Sequence, residues 1–168
     1  MIVYRITGSK YAGDISGTKA AMHGGRWNKK GTPVLYTGEN KEIALLETIV
    51  HTPPMLVPNL AILKIEIPRS ILKLNLKDLP KNWIDYPAPT ILSEIAEDWI
   101  KEARYAALKV PSCVIHSTHN YIINCRHPEY HSKVKILDRP NFHFDSRLNS
   151  WSSRERGIPP LSLSQNRS

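Results

Sequence analysis

The sequence predicts a single α+β domain, with small mixed or antiparallel sheets and a few helices rather than a doubly wound parallel sheet. Three observations lead there. Several short runs carry strand-like patterning, only two stretches show a sustained helical period, and no G-x-G-x-x-G element joins a strand to a helix. At 168 residues the chain fits one core, since two halves would each be marginal.

Tyr4 to Ile6 reads as a first short strand, followed by a long glycine-bearing loop through Gly8, Gly13, Gly17 and Gly24-Gly25. A loop this long inside a compact domain is usually functional or disordered. Its end, Gly25-Arg26-Trp27-Asn28, is unlike a disordered linker. Lys30-Gly31-Thr32-Pro33 then turns the chain into a compact strand, Val34 to Thr37. Asn40 caps a helix over Lys41–His51, with Ile43, Ala44, Leu46 and Val50 at helical spacing and Pro53-Pro54 as the stop.

Leu60 to Ile67 has a period of two, and Ile71 to Leu76 is a second strand candidate. Pro80 to Pro89 is irregular, with Trp83 and Tyr86 expected against the body. Thr90 is expected to cap a helix over Ile91 to Glu102, with Ile91, Ile95, Trp99 and Ile100 inward. Lys109 to Ile115, Asn120 to Asn124, Val134 to Leu137 and Phe142 to Phe144 complete the predicted strands. From Asn149 the hydrophobic period is lost and serine recurs, so 149–168 reads as a flexible tail beyond a domain of 1–148.

Composition narrows the function classes. Mean hydropathy is −0.34, and no long apolar run is present to cross a membrane. The start Met1-Ile2-Val3-Tyr4-Arg5 runs directly into strand-like sequence without a signal-peptide pattern, so the expectation is a cytoplasmic protein. Cys113 and Cys125 form no C-x-x-C pair and are expected as free thiols. His127 and His131 beside Cys125 lack a second ligand pair, so no metal site is expected. The net charge of +8 points to an anionic partner: nucleic acid, a phosphorylated small molecule or an acidic protein. The basic residues are spread along the chain, which weakens the reading of a dedicated nucleic-acid-binding module.

Three residues stand out chemically. Arg26 follows a glycine pair, Tyr36 ends a strand, and Glu47 lies beside the apolar stripe of the first long helix. A carboxylate there is costly to desolvate unless it is paired or faces a cleft. Together the three supply what cleavage of a nucleotide's N-glycosidic bond needs. A guanidinium binds phosphate oxygens while glycines let backbone N–H groups approach, and an aromatic ring stacks on a planar base. A carboxylate holds a ribose hydroxyl and stabilises an oxocarbenium-like transition state. Each also has a plain structural alternative: a surface arginine, a core aromatic, a buried salt-bridge partner. Ser112, after Val110-Pro111, lies in no nucleophile elbow, and hydrogen bonding to substrate or to Glu47 is its better reading. Asn120 and Asn124 flank an apolar triplet as turn or strand-end residues, and His127 reads as a structural hydrogen-bonder.

The string His23-Gly24-Gly25-Arg26-Trp27-Asn28, then Gly31-x-Pro33-Val34-Leu35-Tyr36 and Ala44-Leu45-Leu46-Glu47, resembles the RES domain family. The likeness continues through Tyr4-Arg5-Ile6, Leu79-Pro80-x-x-Trp83, Asp98-Trp99-Ile100, Val110-Pro111-Ser112, Asn120-Tyr121-Ile122-Ile123-Asn124, His127-Pro128 and Phe144-Asp145-x-Arg147-Leu148. It implies a fold similar to ADP-ribosyltransferase toxins and a toxin that consumes NAD+ as substrate by hydrolysis or phosphorolysis, with no prosthetic group. Protein ADP-ribosylation is the alternative. It implies an antitoxin partner of the Xre helix-turn-helix type, operator DNA reached only through the toxin–antitoxin complex, and scope for a homodimer within it. Carried onto this chain, Arg26, Tyr36 and Glu47 are the catalytic positions. Ser112, Arg5, Asn124, Gly25 and Trp27 are the substrate-binding positions. Cys125 stands where the family usually has proline, and Ala96 where a glycine is common.

Overall fold

In the computed structural model, which describes residues 1–51, 59–142 and 145, the chain folds as α+β. The elements run β1 (Ile2–Gly8), α1 (Thr18–His23), β2 (Val34–Gly38), α2 (Lys41–His51), β3 (Leu60–Glu66), β4 (Ile71–Lys73), α3 (Thr90–Glu102), β5 (Ala107–Pro111), β6 (His119–Asn124), α4 (Tyr130–Lys133), β7 (Lys135–Asp138) and β8 (Asn141–Phe142). The strands join in one mixed sheet, ordered β4–β5–β6–β2–β1–β3–β7, with β8 beside β3. All pairings are antiparallel except β4 with β5. The tail at 149–168 and the Phe144 and Arg147 positions lie outside the described residues.

The sheet has a seam. β1 and β3 pair along their whole length, from Ile2↔Glu66 to Gly8↔Leu60, and β2 and β6 from Val34↔Asn124 to Gly38↔Asn120. β1 and β2 share only Tyr4↔Gly38. Helix α2 follows β2 across this seam and packs on both strands. Gly38 permits that approach, because a Cβ there would sit 2.6 Å from Ile43 Cγ2 and 2.9 Å from the Ala44 amide nitrogen. The Asn40 side chain caps α2 as expected, accepting the Ile43 N–H at 2.8 Å.

Both faces of the sheet are covered. One carries Val3, Leu35, Leu63, Ile65, Ile123 and their neighbours. The other carries Val34, Leu108, Val110 and Ile122 under Leu92, Ala96, Trp99 and Ile100 of α3, with Ile6 and Leu60 beneath Ala44 of α2. Two details of α3 differ from expectation. Thr90 is its first residue rather than its cap, and Ile91 is 44% exposed while Leu92 faces in. The inward stripe of α3 begins one residue later than the sequence pattern implied. Among the described residues no helix is long and apolar enough to cross a membrane.

Candidate active site

Strand alternation gathers the site on the face that carries α2 and α3. Tyr36 lies opposite Ile122, and Asn120 lies opposite both Gly38 and Val110. Ser112 continues the Val110 face just past β5, where its N–H bonds the Thr118 carbonyl at 3.0 Å. Glu47, on α2, reaches down to this row.

Glu47 Oε1 is held by two donors at once: Ser112 Oγ–H at 2.8 Å and Asn120 Nδ2–H at 2.6 Å. Ser112 is fully buried, and its oxygen also accepts the Val114 and Ile115 N–H groups at 3.0 and 3.2 Å. The hydroxyl proton is therefore committed to the carboxylate, so Ser112 is a positioning group here and not a nucleophile. Glu47 Oε2 accepts no hydrogen bond among the described residues, and the carboxylate side chain is 23% exposed. One oxygen is saturated and the other is available.

Tyr36 is fixed through its hydroxyl, which accepts the Trp27 N–H at 3.0 Å and donates to Asn28 Oδ1 at 2.8 Å. Burial pushes the phenol's pKa above its usual value, opposed by the Trp27 N–H and the Arg26 charge, so it stays neutral at physiological pH. Asn28 is itself 1% exposed, and its Nδ2 contacts the Ala20, Lys29 and Thr32 carbonyls at 2.9, 3.1 and 3.0 Å. Gly25 makes room for this network: a Cβ would lie 2.6 Å from the Tyr36 hydroxyl. With its hydroxyl engaged on the protein side, Tyr36 has only its ring left to offer a ligand.

That division gives a direct test. Tyr36→Phe is expected to retain most of the affinity for a planar base while lowering the melting temperature. It strands Asn28 Oδ1 and the Trp27 N–H, at a cost of about 1–3 kcal/mol. Tyr36→Ala loses both properties. Thermal melts and ligand titration of the two variants check this ordering.

Arg26 spans from the glycine loop to the 80–89 segment, donating through Nη1 to the Trp83 carbonyl and through Nη2 to the Asp85 carbonyl at 3.0 Å. A guanidinium carries five N–H donors, so three remain for an anion. The Arg26 charge acts on the Tyr36 hydroxyl and the Cys113 thiol, and Glu47 acts on the same thiol. Arg26 thus lies within electrostatic reach of both the Tyr36 hydroxyl and the Cys113 thiol, and Glu47 within reach of that thiol. Burial raises the pKa of that thiol and keeps it protonated.

The remaining expected positions go elsewhere. The Trp27 indole is 3% exposed, packed in the apolar cluster with Val34 and Trp99, and only its backbone serves Tyr36. Asn124 is fully buried at the far end of β6, donating to the Ile100 carbonyl at 3.4 Å and accepting the Arg126 N–H at 2.9 Å. Arg5 has the parity of Val3 and lies on the opposite sheet face, where Asp14, Tyr130 and Cys125 surround its charge. Burial lowers its pKa, which Asp14 opposes. Two residues that the sequence left as ordinary belong to the site: Asn120, which holds Glu47, and Asn28, which holds Tyr36. Strand alternation from Ile122 was the available signal for Asn120. Asn28 offered none, because its Nδ2 serves backbone carbonyls and its Oδ1 meets Tyr36 only once the loop has folded.

A neutral aromatic ring, an arginine with free donors and a carboxylate with one oxygen free of hydrogen bonds are groups chemically suited to a planar, anionic ligand and to developing positive charge. The comparisons then fix the family. The RES domain model matches residues 2–145, and the chain belongs to the RES domain family. It is 36% identical over 152 residues to "Toxin Res" of Photorhabdus laumondii, covering 88% of this chain and 97% of that one. It is 35% identical to "Toxin Res" of Pseudomonas putida, over 88% and 99% of the two chains. It is 33% identical to the "Prs ADP-ribosylating toxin" of a Sphingobium species, over 70% of this chain and 76% of that one. In three dimensions it resembles a chain of the M. tuberculosis MbcT–MbcA toxin–antitoxin complex, with a TM-score of 0.70 at 16% identity. That match covers 89% of this chain and 86% of the other, and it shows the shared fold.

Proposed function

We propose that this chain is the toxin of a toxin–antitoxin pair and that its substrate is NAD+, cleaved at the nicotinamide–ribose N-glycosidic bond. The observation that carries the reading is the state of Glu47. Two donors fix Oε1, leaving Oε2 to accept a ribose hydroxyl and to face the positive charge that grows at C1′. The Tyr36 ring, held from behind by Asn28, is the stacking surface for nicotinamide. The free donors of the Arg26 side chain take the phosphates or the neighbouring ribose, since the backbone N–H groups of Gly24, Gly25 and Trp27 are engaged within the loop and by Tyr36. As the C1′–N bond breaks, its electron pair leaves with nicotinamide, and the oxocarbenium-like centre forms against the carboxylate.

Water or inorganic phosphate is the acceptor in this reading, which makes the activity NAD+ depletion in the cytoplasm. The names of the relatives support the toxin role. The complex formed by the structural neighbour supports an antitoxin partner, for which the +8 charge provides an anionic docking preference. A second reading, transfer of ADP-ribose to a protein, is favoured by the ADP-ribosylating toxin among the relatives.

The deciding experiment mixes pure protein with NAD+, with and without phosphate and lysate, and follows products by mass spectrometry. Free nicotinamide with ADP-ribose or its phosphorylated form supports depletion, whereas a discrete labelled polypeptide supports transfer. Intact NAD+ in every arm defeats both. Nucleic-acid affinity falling steeply with salt, unaffected by Arg26→Ala beyond any other arginine, would favour a basic binding module instead.

A further inference from the structure

We propose that His51 is the acceptor-side base of this site, taking the proton of the water or hydroxyl group that attacks C1′. The inference rests on the NAD+ reading above and adds a residue and a step to it.

Glu47 and His51 are one helical turn apart on α2, so their side chains emerge on the same face. His51 Nε2 lies 3.7 Å from Glu47 Oε2, the oxygen that Ser112 and Asn120 leave unbound. That separation is too long for a hydrogen bond between the two. It suits a third atom: an oxygen about 2.8 Å from each closes a triangle over it. The exposure of the pair sets the direction of approach. The imidazole is 67% exposed and the carboxylate 23%, so His51 stands on the solvent side, where an acceptor arrives.

The chemistry requires a second group. Glu47 is committed to the cation through its charge, with Oε1 saturated, and Ser112 cannot accept a proton while its oxygen serves two backbone N–H groups. Cleavage of C1′–N sends the bonding pair to nicotinamide. An acceptor oxygen then gives a lone pair to C1′, its O–H bond breaks, and the proton passes to the Nε2 lone pair of His51 and on to solvent. A water acceptor needs this step; an anion without a proton does not.

The test uses His51→Gln in the full chain, with wild-type protein alongside, in phosphate-free buffer with water or with azide as acceptor. His51 is exposed at the end of α2, so the variant is expected to melt as the wild type does. The expected result is a fall of about a hundredfold in kcat for hydrolysis, with KM for NAD+ within about twofold and azide product formed at the wild-type rate. Hydrolysis within about threefold of wild type overturns the assignment, and so does an equal loss with azide. Wild-type protein that releases nicotinamide only with an anionic acceptor overturns it too, while the NAD+ reading stands. Wild-type protein inert toward NAD+ under every acceptor removes that reading and this one together.

Discussion

Glu47→Gln is expected to keep the fold and lose NAD+ turnover by about 10²–10³ in kcat, the scale on which one preorganised charge contributes. The structure separates the two effects. The glutamine carbonyl takes the place of Oε1 and still accepts from Ser112 Oγ and Asn120 Nδ2, so the partners that line the site stay satisfied. The amide nitrogen then stands where Oε2 was. It turns a donor and a partial positive charge toward C1′, at the point where a negative charge is wanted. Stability moves by less than about 1 kcal/mol, as for a change of equal shape with its hydrogen bonds intact. Glu47→Asp tests the same geometry differently: one methylene shorter, it keeps its charge but cannot hold both donors. Its loss of activity is therefore positional. Turnover by mass spectrometry beside a thermal melt reads both numbers, and wild-type turnover in Glu47→Gln would remove the carboxylate from the chemistry.

Asn120→Ala belongs to the same relay. It removes the 2.6 Å bond while leaving the charge in place, so a smaller loss than in Glu47→Gln is the expected order. The two asparagines of β6 also show what the sequence made legible and what it did not. Asn120 and Asn124 have the same parity on one strand, and both face the side that carries Tyr36. Their difference lies in what crosses above them. Asn120 pairs with Gly38 under the seam where α2 passes, whereas Asn124 pairs with Val34 beside the end of α3. No local pattern holds that information, because it depends on strand order across the sheet.

Arg5 poses the same problem between faces. Where only one face of a sheet is buried, polarity alternates and parity can be read. Here both faces are covered, so Tyr4-Arg5-Ile6 alone does not say which side the arginine takes. The bounds of helix α2 were legible, since Asn40 caps it and its apolar positions repeat at helical spacing, but its buried face is confined to Ile43 and Ala44 and Val50 is 62% exposed. Helix α1 was not legible. Its six residues follow a glycine N-cap at positive φ and bury none of their side chains, so no periodic face marks it. The long loop therefore contains a folded turn that brings Gly25 and Asn28 under Tyr36. It is a scaffold for the site as much as a ligand-binding loop.

That scaffold sets the second large expectation. Asn28→Ala should lower stability by about 3 kcal/mol, or about 6–12 °C in a chain of this size, because it leaves several buried groups without partners at once. The three carbonyls of Ala20, Lys29 and Thr32 lose a shared donor, and the Tyr36 hydroxyl loses its acceptor. Asn28→Asp, though closer in shape, should be worse. It keeps an acceptor for Tyr36 but turns a carboxylate oxygen toward three carbonyls at a position 1% exposed, where an unpaired charge is most costly. Asn28→Ala releases the Tyr36 ring from its acceptor, and Asn28→Asp disturbs the loop that carries the Trp27 N–H behind it, so turnover falls alongside stability in both. In Glu47→Gln, by contrast, turnover falls alone. Differential scanning calorimetry of the three proteins beside their NAD+ turnover tests this, and an Asn28→Asp protein that melts with the wild type would show that the amide donors do not hold the loop.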